Sequence, residues 1–269
     1  MIVDGRSIAA DIYSELADFF TAHRARLGIV VIGENPVIEQ FVRIKMRAAE
    51  RLGVEMVRVD LPGTATTGQA IEAVEHLAAR TDAIIVQLPL PKTADANAVL
   101  SSIPARKDVD AINPRHSIER PVEAPVALAV IEILQRGGVD IAGKRAVVVG
   151  AGMLVGAPSA QLLKACGAQV GMLTLEEGSI EDLKAADIIV SGAGSPGLIK
   201  PDHIKNGVAL IDAGTSEQGK KVVGDADPAC AKIASVFTPV PGGVGPVAVA
   251  MIFRNLKTLI EKNLSPNAR

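Results

Sequence analysis

Aromatic residues are scarce in this chain of 269 residues, which has no tryptophan, one tyrosine and five phenylalanines. Stacking platforms for single-stranded nucleic acid are therefore not expected. The net charge of −2 at pH 7 gives no electrostatic reason to bind a nucleic-acid backbone. No apolar run approaches the roughly 20 residues that a membrane-spanning helix needs. We therefore expect neither nucleic acid nor a membrane among the partners of this protein.

Cysteine is also scarce, with only Cys166 and Cys230. Two isolated cysteines predict neither a disulfide framework nor a zinc site, and we interpret them as ordinary thiols of a reducing compartment. The first six residues contain no apolar segment of the signal-peptide kind, so we expect a cytoplasmic protein. His116 and His203 lie in polar stretches without a further histidine or cysteine nearby, and we expect surface roles for them and no metal site.

What the sequence does contain is a regular alternation of apolar runs and amphipathic segments. Helices are predicted over about 7–24, 36–52, 67–80, 155–166 and 246–263, with one more ending near 137. Strands are predicted over 28–33, 55–60, 83–88, 146–149, 169–173, 188–191 and 208–212. This alternation predicts an α/β protein with parallel sheets that are covered on both faces. Prolines and charges over 103–125 suggest an interdomain passage, with domains at 1–120 and 121–245 and a last helix, 246–269, returning to the first.

The clearest chemical signal is the glycine loop at 150–156, which joins a buried strand to a helix. Gly150 permits a tight turn, Gly152 removes a side chain where a pyrophosphate would approach, and Gly156 permits close packing of the helix on the sheet. The helix N-terminus offers free N–H groups to phosphates. The spacing is one residue longer than the commonest fingerprint, and a structural turn could use the same glycines. We interpret the loop as part of a Rossmann-type dinucleotide domain, with contacts from Gly150, Ala151, Gly152, Met153, Val155 and Gly156.

The end of the next strand bears on the choice of dinucleotide. Glu176 follows that strand, where a carboxylate often accepts the adenosine ribose hydroxyls and would repel a ribose phosphate. No arginine or lysine occurs within 150–156 or 169–177 to neutralise such a phosphate. NAD or NADP is thus expected, with NAD favoured. The alternative is that Glu176 and Glu177 simply lie on a solvated turn.

The helix predicted over 36–52 carries Phe41 and Lys45, four residues apart and therefore on one face. A lysine among apolar groups is a candidate for a depressed pKa and for proton transfer. Taken alone, such a lysine more often extends its charged end into water.

Nine sequence blocks, in order and over nearly the whole chain, form a recognisable set: 3–6, 31–36, 41–45, 86–91, 107–110, 149–158, 212–215, 222–225 and 238–246. Together they resemble the bifunctional methylenetetrahydrofolate dehydrogenase/cyclohydrolase (FolD) family. The proline–glycine block at 238–246 is the most specific of them.

The resemblance implies two α/β domains around a cleft, the second a Rossmann-type parallel sheet. It also implies oxidation of methylenetetrahydrofolate with NAD or NADP, followed by hydrolysis of the methenyl product to formyltetrahydrofolate. By the same resemblance, Lys45 assists water attack and proton movement, Gln87 orients that lysine, and Asp110 holds the pterin ring by accepting two N–H bonds. A homodimer is implied as well.

Further contacts follow from the resemblance. Phe41 would stack on the aminobenzoyl part of the folate. Thr215 lies in a segment that would face the nicotinamide. Glycines of the proline–glycine block would let the backbone approach the substrate closely. The substrate contacts expected in that block are Pro241, Gly242, Gly243 and Gly245.

The chain departs from the family around the expected site. Ile38 replaces a usual serine, Phe41 a tyrosine and Ala111 a glycine. Residues 124–127 lack the usual proline–cysteine–threonine–proline block, and 151–152 and 247–248 also differ. Three hypotheses stay open: both activities persist, the cyclohydrolase is weakened because the shell of Lys45 changed, or another folate or pterin is the substrate.

Two rival interpretations concern the whole protein. The first is another two-domain nicotinamide dehydrogenase, acting on a small acid, because a glycine loop alone does not fix function. The second is a non-catalytic or re-specialised folate- or pterin-binding member of the family. Asp187 and Asp212, at predicted strand edges, are interpreted as turn or cap residues without chemistry.

Overall fold

The computed structural model describes residues 1–116, 120–219 and 221–264. The chain divides into two units, which we name by their main features. The lysine unit comprises residues 12–123 together with those from 252 onward, and the glycine-loop unit comprises residues 1–11 and 124–251. Both are built on parallel sheets, which confirms the predicted α/β class and the Rossmann-type second sheet.

The first seven elements of the chain are four helices and the three strands of a small parallel sheet. They are α1 (Gly5–Ala22), β1 (Arg26–Ile32), α2 (Pro36–Leu52), β2 (Glu55–Leu61), α3 (Thr67–Ala78), β3 (Ala83–Val86) and α4 (Ala96–Ser101). The strand order is β2-β1-β3. β1 is central and is buried except at Arg26, as expected for an apolar run covered on both faces.

Local sequence explains the bounds of α2. The Asn35 side chain accepts hydrogen bonds from the N–H groups of Val37 and Ile38, and Pro36 occupies the first turn. The helix ends at Gly53, whose φ of 69° is left-handed. The predicted start and end of this helix are therefore confirmed.

The glycine-loop unit contains most of the remaining elements. They are α5 (Pro125–Arg136), β4 (Arg145–Val149), α6 (Gly156–Ala165), β5 (Gln169–Leu173), β6 (Ile188–Ser191), β7 (Ala209–Asp212), β8 (Ser216–Gln218), β9 (Lys221–Val223), β10 (Val236–Phe237) and α7 (Val244–Leu264). Five strands form a parallel sheet of order β10-β7-β6-β4-β5, and β8 and β9 form an antiparallel hairpin. The strand order reverses between β4 and β6, and ligands of open α/β sheets bind at such a switch point.

The unit boundaries differ from the predicted domains at both ends of the chain. Residues 1–11 group with the glycine-loop unit, because the N–H of Val3 donates to Phe237 and the N–H of Gly5 donates to Gly242. Gly5 must be a glycine, since a Cβ there would collide with the carbonyl oxygen of Gly243. α7 begins at Val244, and only its part from residue 252 onward belongs to the lysine unit.

Three shorter segments escaped the sequence prediction: α4, the β8–β9 hairpin and β10. β3 ends at Val86, two residues earlier than predicted. Both cysteines are free thiols, with Cys230 buried. Among the described helices, none combines the length and apolar character that crossing a membrane requires.

Candidate functional site

The lysine unit brings Lys45 to the residue that directly follows β3. Lys45 Nζ donates to Oε1 of Gln87 at 2.7 Å. Nε2 of the same amide donates to the carbonyl oxygen of Leu88 at 2.8 Å. This second bond fixes the amide so that its oxygen, and not its nitrogen, faces the lysine. Gln87 is 7% exposed, so its amide is held in a largely dry setting.

Asp110 completes an electrostatic cluster with Lys45. Burial lowers the pKa of Lys45, and attraction to Asp110 partly opposes this shift. Burial raises the pKa of Asp110 to about 6, against the attraction of Lys45 and with a smaller contribution from Asp108. The structure thus places the three predicted residues Lys45, Gln87 and Asp110 together. Their catalytic roles stay predictions.

The backbone on both sides of Asp110 is anchored. The carbonyl oxygen of Val109 accepts from the Asn255 side chain at 2.9 Å, and the N–H of Asn113 donates to Asp108 at 2.8 Å. Ala111, which replaces the family's glycine, has a φ of 53°, a left-handed value that an L-residue rarely adopts. Backbone strain therefore lies directly beside the candidate site.

The side chains of this cluster keep unused hydrogen-bonding capacity. Within the described part of the chain, the Asp110 carboxylate accepts no hydrogen bond, and the Lys45 ammonium donates only to Gln87. Both residues are half-buried, so their unused groups stay accessible to water or to a ligand, which favours a role in binding a ligand. The free acceptors of Asp110 suit paired N–H donors, and the free N–H groups of Lys45 suit water or a substrate oxygen.

α2 also carries the two substituted positions near the cluster. The Phe41 ring is 43% exposed, so a face of it is available for stacking. Ile38 is 5% exposed and brings no polar atom where the family has a hydroxyl. The substitutions at 124–127 lie at the start of α5, where Ala124 occupies the N-cap without a side-chain hydrogen bond.

In the glycine-loop unit, the loop after β4 needs its glycines. Gly150 has a φ of 90°, and a Cβ there would lie 2.9 Å from the carbonyl oxygen of Gly192. Gly156 begins α6, and a Cβ there would collide with the carbonyl oxygen of Gly150. Gly152 has open space around its Cα, which leaves room for a ligand.

The same loop presents unpaired donors. The N–H groups of Ala151, Gly152 and Met153 form no hydrogen bond with any described residue. They precede the N-terminus of α6. The N-cap residue of this helix is Val155, whose apolar side chain cannot accept a hydrogen bond from the N–H groups of the first turn. Open N–H groups and a helix N-terminus at a topological switch point fit the pyrophosphate of a dinucleotide.

Glu176 and Thr215 follow strands of this sheet at its carboxyl edge. The turn after β5 is closed by Thr174 Oγ1, which accepts from the N–H groups of Glu176 and Glu177. Glu176 is exposed, and β5 pairs directly with β4, which precedes the glycine loop. Thr215 is exposed three residues beyond the end of β7.

The proline–glycine block folds into a tight turn before α7. The peptide bond between Val240 and Pro241 is cis, and Gly242 has a φ of 108°. A Cβ at Gly243 would lie 2.7 Å from the carbonyl oxygen of Pro239, whereas Gly245 has open space. Pro241 and Gly245 are exposed, and Gly243 is buried.

Two carboxylates to which the sequence assigned no chemistry lie near the carboxyl edge of the larger sheet. Asp212, interpreted as a turn residue, is 2% exposed and accepts from the N–H groups of Gly214 and Ala226. Burial raises its pKa to about 6 despite these donors. Asp225 is fully buried and accepts three hydrogen bonds. The only sequence signal was the block 222–225, which gave Asp225 no role.

The histidines show no sign of a metal centre. No group of three or more histidine, cysteine, aspartate or glutamate side chains suited to a metal occurs in the described ranges. His203 Nδ1 accepts from the N–H of Lys200 at 3.2 Å. The side chain of His116 and the whole of Glu119 lie outside the described residues.

Comparisons with known proteins agree with both units. Residues 3–110 match the tetrahydrofolate dehydrogenase/cyclohydrolase catalytic domain, and residues 124–264 match the NAD(P)-binding domain of the same family. The bifunctional protein FolD of Methanospirillum hungatei is 37% identical over 266 residues, which cover 95% of each chain. That of Koribacter versatilis is 36% identical over 293 residues, covering 94% of each.

Solved structures give the same result. The bifunctional FolD of Campylobacter jejuni has a TM-score of 0.93 at 30% identity, covering 98% of this chain and 99% of that one. The Trypanosoma brucei FolD, solved with an NADP cofactor and an inhibitor, has a TM-score of 0.92 at 34% identity, covering 98% of each chain. With its glycine loop, its lysine cluster and these matches, the chain belongs to the tetrahydrofolate dehydrogenase/cyclohydrolase family.

Proposed function

We propose that this protein oxidises methylenetetrahydrofolate to methenyltetrahydrofolate with a nicotinamide dinucleotide, and hydrolyses the product to formyltetrahydrofolate. The observation that carries the proposal is the Lys45–Gln87–Asp110 cluster, which keeps free donors and acceptors in a partly dry setting. Family membership over nearly the whole chain supports the same reaction. The comparisons lend no support to a non-catalytic or pterin-specialised member, nor to a dehydrogenase of small acids.

Asp110 and Phe41 are proposed to hold the folate. An ionised Asp110 accepts two N–H bonds from the amino-pyrimidine edge of the pterin, which fills acceptors that no described residue uses. The exposed face of Phe41 stacks on the aminobenzoyl ring, with no hydroxyl to add a hydrogen bond. Pro241, Gly242, Gly243 and Gly245 are proposed as further substrate contacts, since the turn keeps bulky side chains away.

Lys45 is proposed to manage protons at the one-carbon unit. Its burial lowers its pKa, so a neutral amine is more accessible than for a solvated lysine. A neutral amine can accept a proton from the water that attacks the methenyl carbon, which gives a carbinol. The ammonium can return that proton to the folate nitrogen that leaves as the C–N bond breaks, while the carbinol hydroxyl loses its proton to water and becomes the formyl oxygen. Gln87 holds the lysine by one acceptor without neutralising its charge.

The glycine-loop unit is proposed to bind the dinucleotide. The N–H groups of Ala151, Gly152 and Met153 and the first turn of α6 would hold the pyrophosphate, with Val155 and Gly156 shaping the turn. Thr215 is proposed to lie near the nicotinamide. The bound dinucleotide supplies the acceptor of the hydride that leaves the methylene bridge. The protein's own task is to orient the reactants and exclude competing reactions.

NAD is proposed as the preferred dinucleotide. The exposed Glu176 offers a carboxylate to the ribose hydroxyls and repels a ribose phosphate. The loop position that could oppose this charge is Ala151, which has no charge to contribute. We expect kcat/KM to be about fivefold higher with NAD than with NADP, since one exposed like charge is worth on the order of 1 kcal/mol at short range.

The cyclohydrolase is proposed to be the weaker activity. Ile38 is a buried, apolar side chain on α2, on the same helix as Lys45, where the family has a hydroxyl. We propose that this replacement makes the shell around Lys45 less polar. A less polar shell disfavours the ammonium form and offers fewer groups to order the attacking water. Methenyl product should therefore accumulate during the dehydrogenase reaction.

The decisive experiment mixes the purified protein with methylenetetrahydrofolate and either NAD or NADP. Reduced dinucleotide and methenyltetrahydrofolate are followed by absorbance. Formation of reduced dinucleotide with a transient or persistent methenyl signal supports the proposal, and the rates with each dinucleotide test the preference. Folate binding without any reduction would refute the dehydrogenase assignment. The double variant Ala151→Arg with Glu176→Arg should shift the preference toward NADP; an unchanged ratio would remove Glu176 from the argument.

A homodimer in the cytoplasm is also proposed, with the family as its warrant. Light scattering coupled to gel filtration should give twice the chain mass of 27.9 kDa. A mass of one chain at micromolar concentration would refute the dimer.

A further inference from the structure

A buried carboxylate outside the predicted site organises the carboxyl edge of the larger sheet. Asp225 has no exposed surface. It accepts from Ser191 Oγ at 2.6 Å, from the N–H of Ala193 at 2.8 Å and from the N–H of Ser195 at 2.6 Å. All three donors belong to the end of β6 and the loop that follows it. A single carboxylate thus holds one short loop by three charge-assisted hydrogen bonds.

That loop lies directly against the glycine loop. A Cβ at Gly150 would lie 3.0 Å from the Cα of Ala193, and a Cβ at Gly192 would collide with the Val155 side chain. β4 and β6 are the neighbouring strands at which the strand order reverses. The crevice outside the carboxyl ends of these two strands is where dinucleotides bind in open α/β sheets. The loop held by Asp225 is therefore one wall of that crevice.

We infer that Asp225 is a positioning residue of the dehydrogenase, which sets the wall of the dinucleotide crevice by clamping Ser191, Ala193 and Ser195. The inference rests on the proposed dinucleotide site. Asp225 holds the loop, also packs against Gly214, and has no surface through which to reach a ligand, so it acts on a ligand only through the backbone segments that it contacts.

The surroundings of the loop indicate why the clamp affects binding more than folding. Residues 193–197 are exposed, so N–H groups released from Asp225 can bond to water. The sheet beneath them is buried by the apolar side chains of β4, β6 and β7, which do not depend on the clamp. Loss of the carboxylate should therefore leave the sheet folded and let the loop move.

The opposite end of the same strand offers a matched control. Asp187 directly precedes β6 and accepts from the N–H of Arg145 at 2.9 Å and from Lys205 Nζ at 2.6 Å. It is a second aspartate that ties neighbouring segments together, but at the amino edge of the sheet, away from the switch-point loops. Asp187→Asn removes a comparable charge and should leave dinucleotide binding unchanged.

The test compares the full-length wild type with Asp225→Asn, Ser191→Ala and Asp187→Asn. NADH binding is measured by the fluorescence of the dihydronicotinamide, and dehydrogenase kinetics are measured at varied NAD and at varied methylenetetrahydrofolate. In Asp225→Asn, one acceptor oxygen becomes an NH₂ group that faces donors. We expect the Kd for NADH and the KM for NAD to rise roughly tenfold to a hundredfold, with the KM for methylenetetrahydrofolate within about twofold.

Ser191→Ala removes only one donor and keeps the carboxylate, so it should fold even if Asp225→Asn does not. We expect a rise of roughly threefold to tenfold in the same two constants. Unchanged NADH binding in Ser191→Ala and Asp225→Asn, or an equal rise in Asp187→Asn, would overturn the inference. Absence of both NADH and NADPH binding by the wild type would instead refute the dinucleotide site itself.

Discussion

Asp110 of the lysine unit is half-buried and Asp225 of the glycine-loop unit is fully buried, and their hydrogen-bonding surroundings differ. The Asp225 carboxylate accepts from one hydroxyl and two backbone N–H groups. The Asp110 carboxylate accepts from no described residue, and its nearest compensation is attraction to Lys45. Buried polar groups are normally paired, so a saturated carboxylate indicates scaffolding and an unsaturated one indicates a ligand.

Lys45 and the glycine loop also keep hydrogen-bond donors that no described residue uses. Lys45 uses one donor on Gln87, and the loop at 150–156 leaves several N–H groups open. The glycine-loop unit therefore has one saturated carboxylate and an edge with open donors, whereas the described groups of the lysine cluster keep open donors and acceptors. The open groups are the ones that substrates can complete, and the following predictions test this division.

Replacing Lys45 should have the largest effect. Lys45→Met removes the group proposed to move protons, and we expect methenyltetrahydrofolate hydrolysis to fall by roughly 10² to 10⁴. Lys257→Met, which removes a lysine paired with Glu261 on α7, should leave hydrolysis unchanged. Loss of the methenyl absorbance measures both rates. Equal rates of hydrolysis in Lys45→Met and the wild type would show that Lys45 does not move protons in this reaction.

Replacing Gln87 should shift a pH profile. Gln87→Glu places a carboxylate against Lys45 and favours the ammonium, so the pKa of the lysine should rise. Whichever protonation state is active, the limb of the hydrolysis profile that reports Lys45 should move to higher pH. Gln87→Met removes the acceptor without adding charge and should not produce that displacement. A profile that stays in place in Gln87→Glu would show that this limb does not report Lys45.

Local patterns predicted much of the fold. Asn35, Pro36 and Gly53 fixed the bounds of α2 because caps act within a few residues. β3 ends before Gln87, and the alternation of apolar runs did not show this, since Leu88 is again apolar directly after Gln87. Contacts between distant segments were not accessible in the same way. The N–H of Val3 donates to the carbonyl oxygen of Phe237, and the first eleven residues therefore belong to the glycine-loop unit and not to the lysine unit.

The candidate site was predictable only in part, for a similar reason. The cluster of Lys45, Gln87 and Asp110 was found through family blocks, since no local period connects residues so far apart in the chain. Asp225 was missed because its partners, Ser191 to Ser195, lie about 30 residues earlier and two of its three bonds go to backbone groups. Side-chain motifs do not encode a backbone donor, so such a clamp appears only in the fold.

Asp110 should reveal the cost of keeping an open carboxylate. Its folded-state pKa of about 6 lies above the ordinary value of 3.8, so folding favours the protonated form. Its contribution to stability is complete below about pH 4 and is lost as the pH rises through about 6. Asp110→Asn should therefore gain in Tm relative to the wild type at about pH 8 compared with about pH 4, while the KM for the folate rises. Thermal unfolding at both pH values measures the difference. An equal Tm difference at the two pH values would contradict the shift.

Ala111 should give the smallest effect and the cleanest sign. Its φ of 53° costs an L-residue roughly 1–2 kcal/mol, which glycine does not incur. Ala111→Gly should therefore raise the free energy of unfolding by a few tenths to about 1 kcal/mol, after the larger chain entropy of glycine is counted. Ala79→Gly is the matched control, because Ala79 is the C-cap residue that follows α3 and has an ordinary φ of −73°. There glycine relieves no strain and should lower stability by about 0.5–1 kcal/mol. The free energy of unfolding is measured by denaturant unfolding for both variants. A gain in Ala111→Gly and a loss in Ala79→Gly would establish backbone strain beside Asp110. A loss in both variants would show that the backbone at Ala111 is not strained.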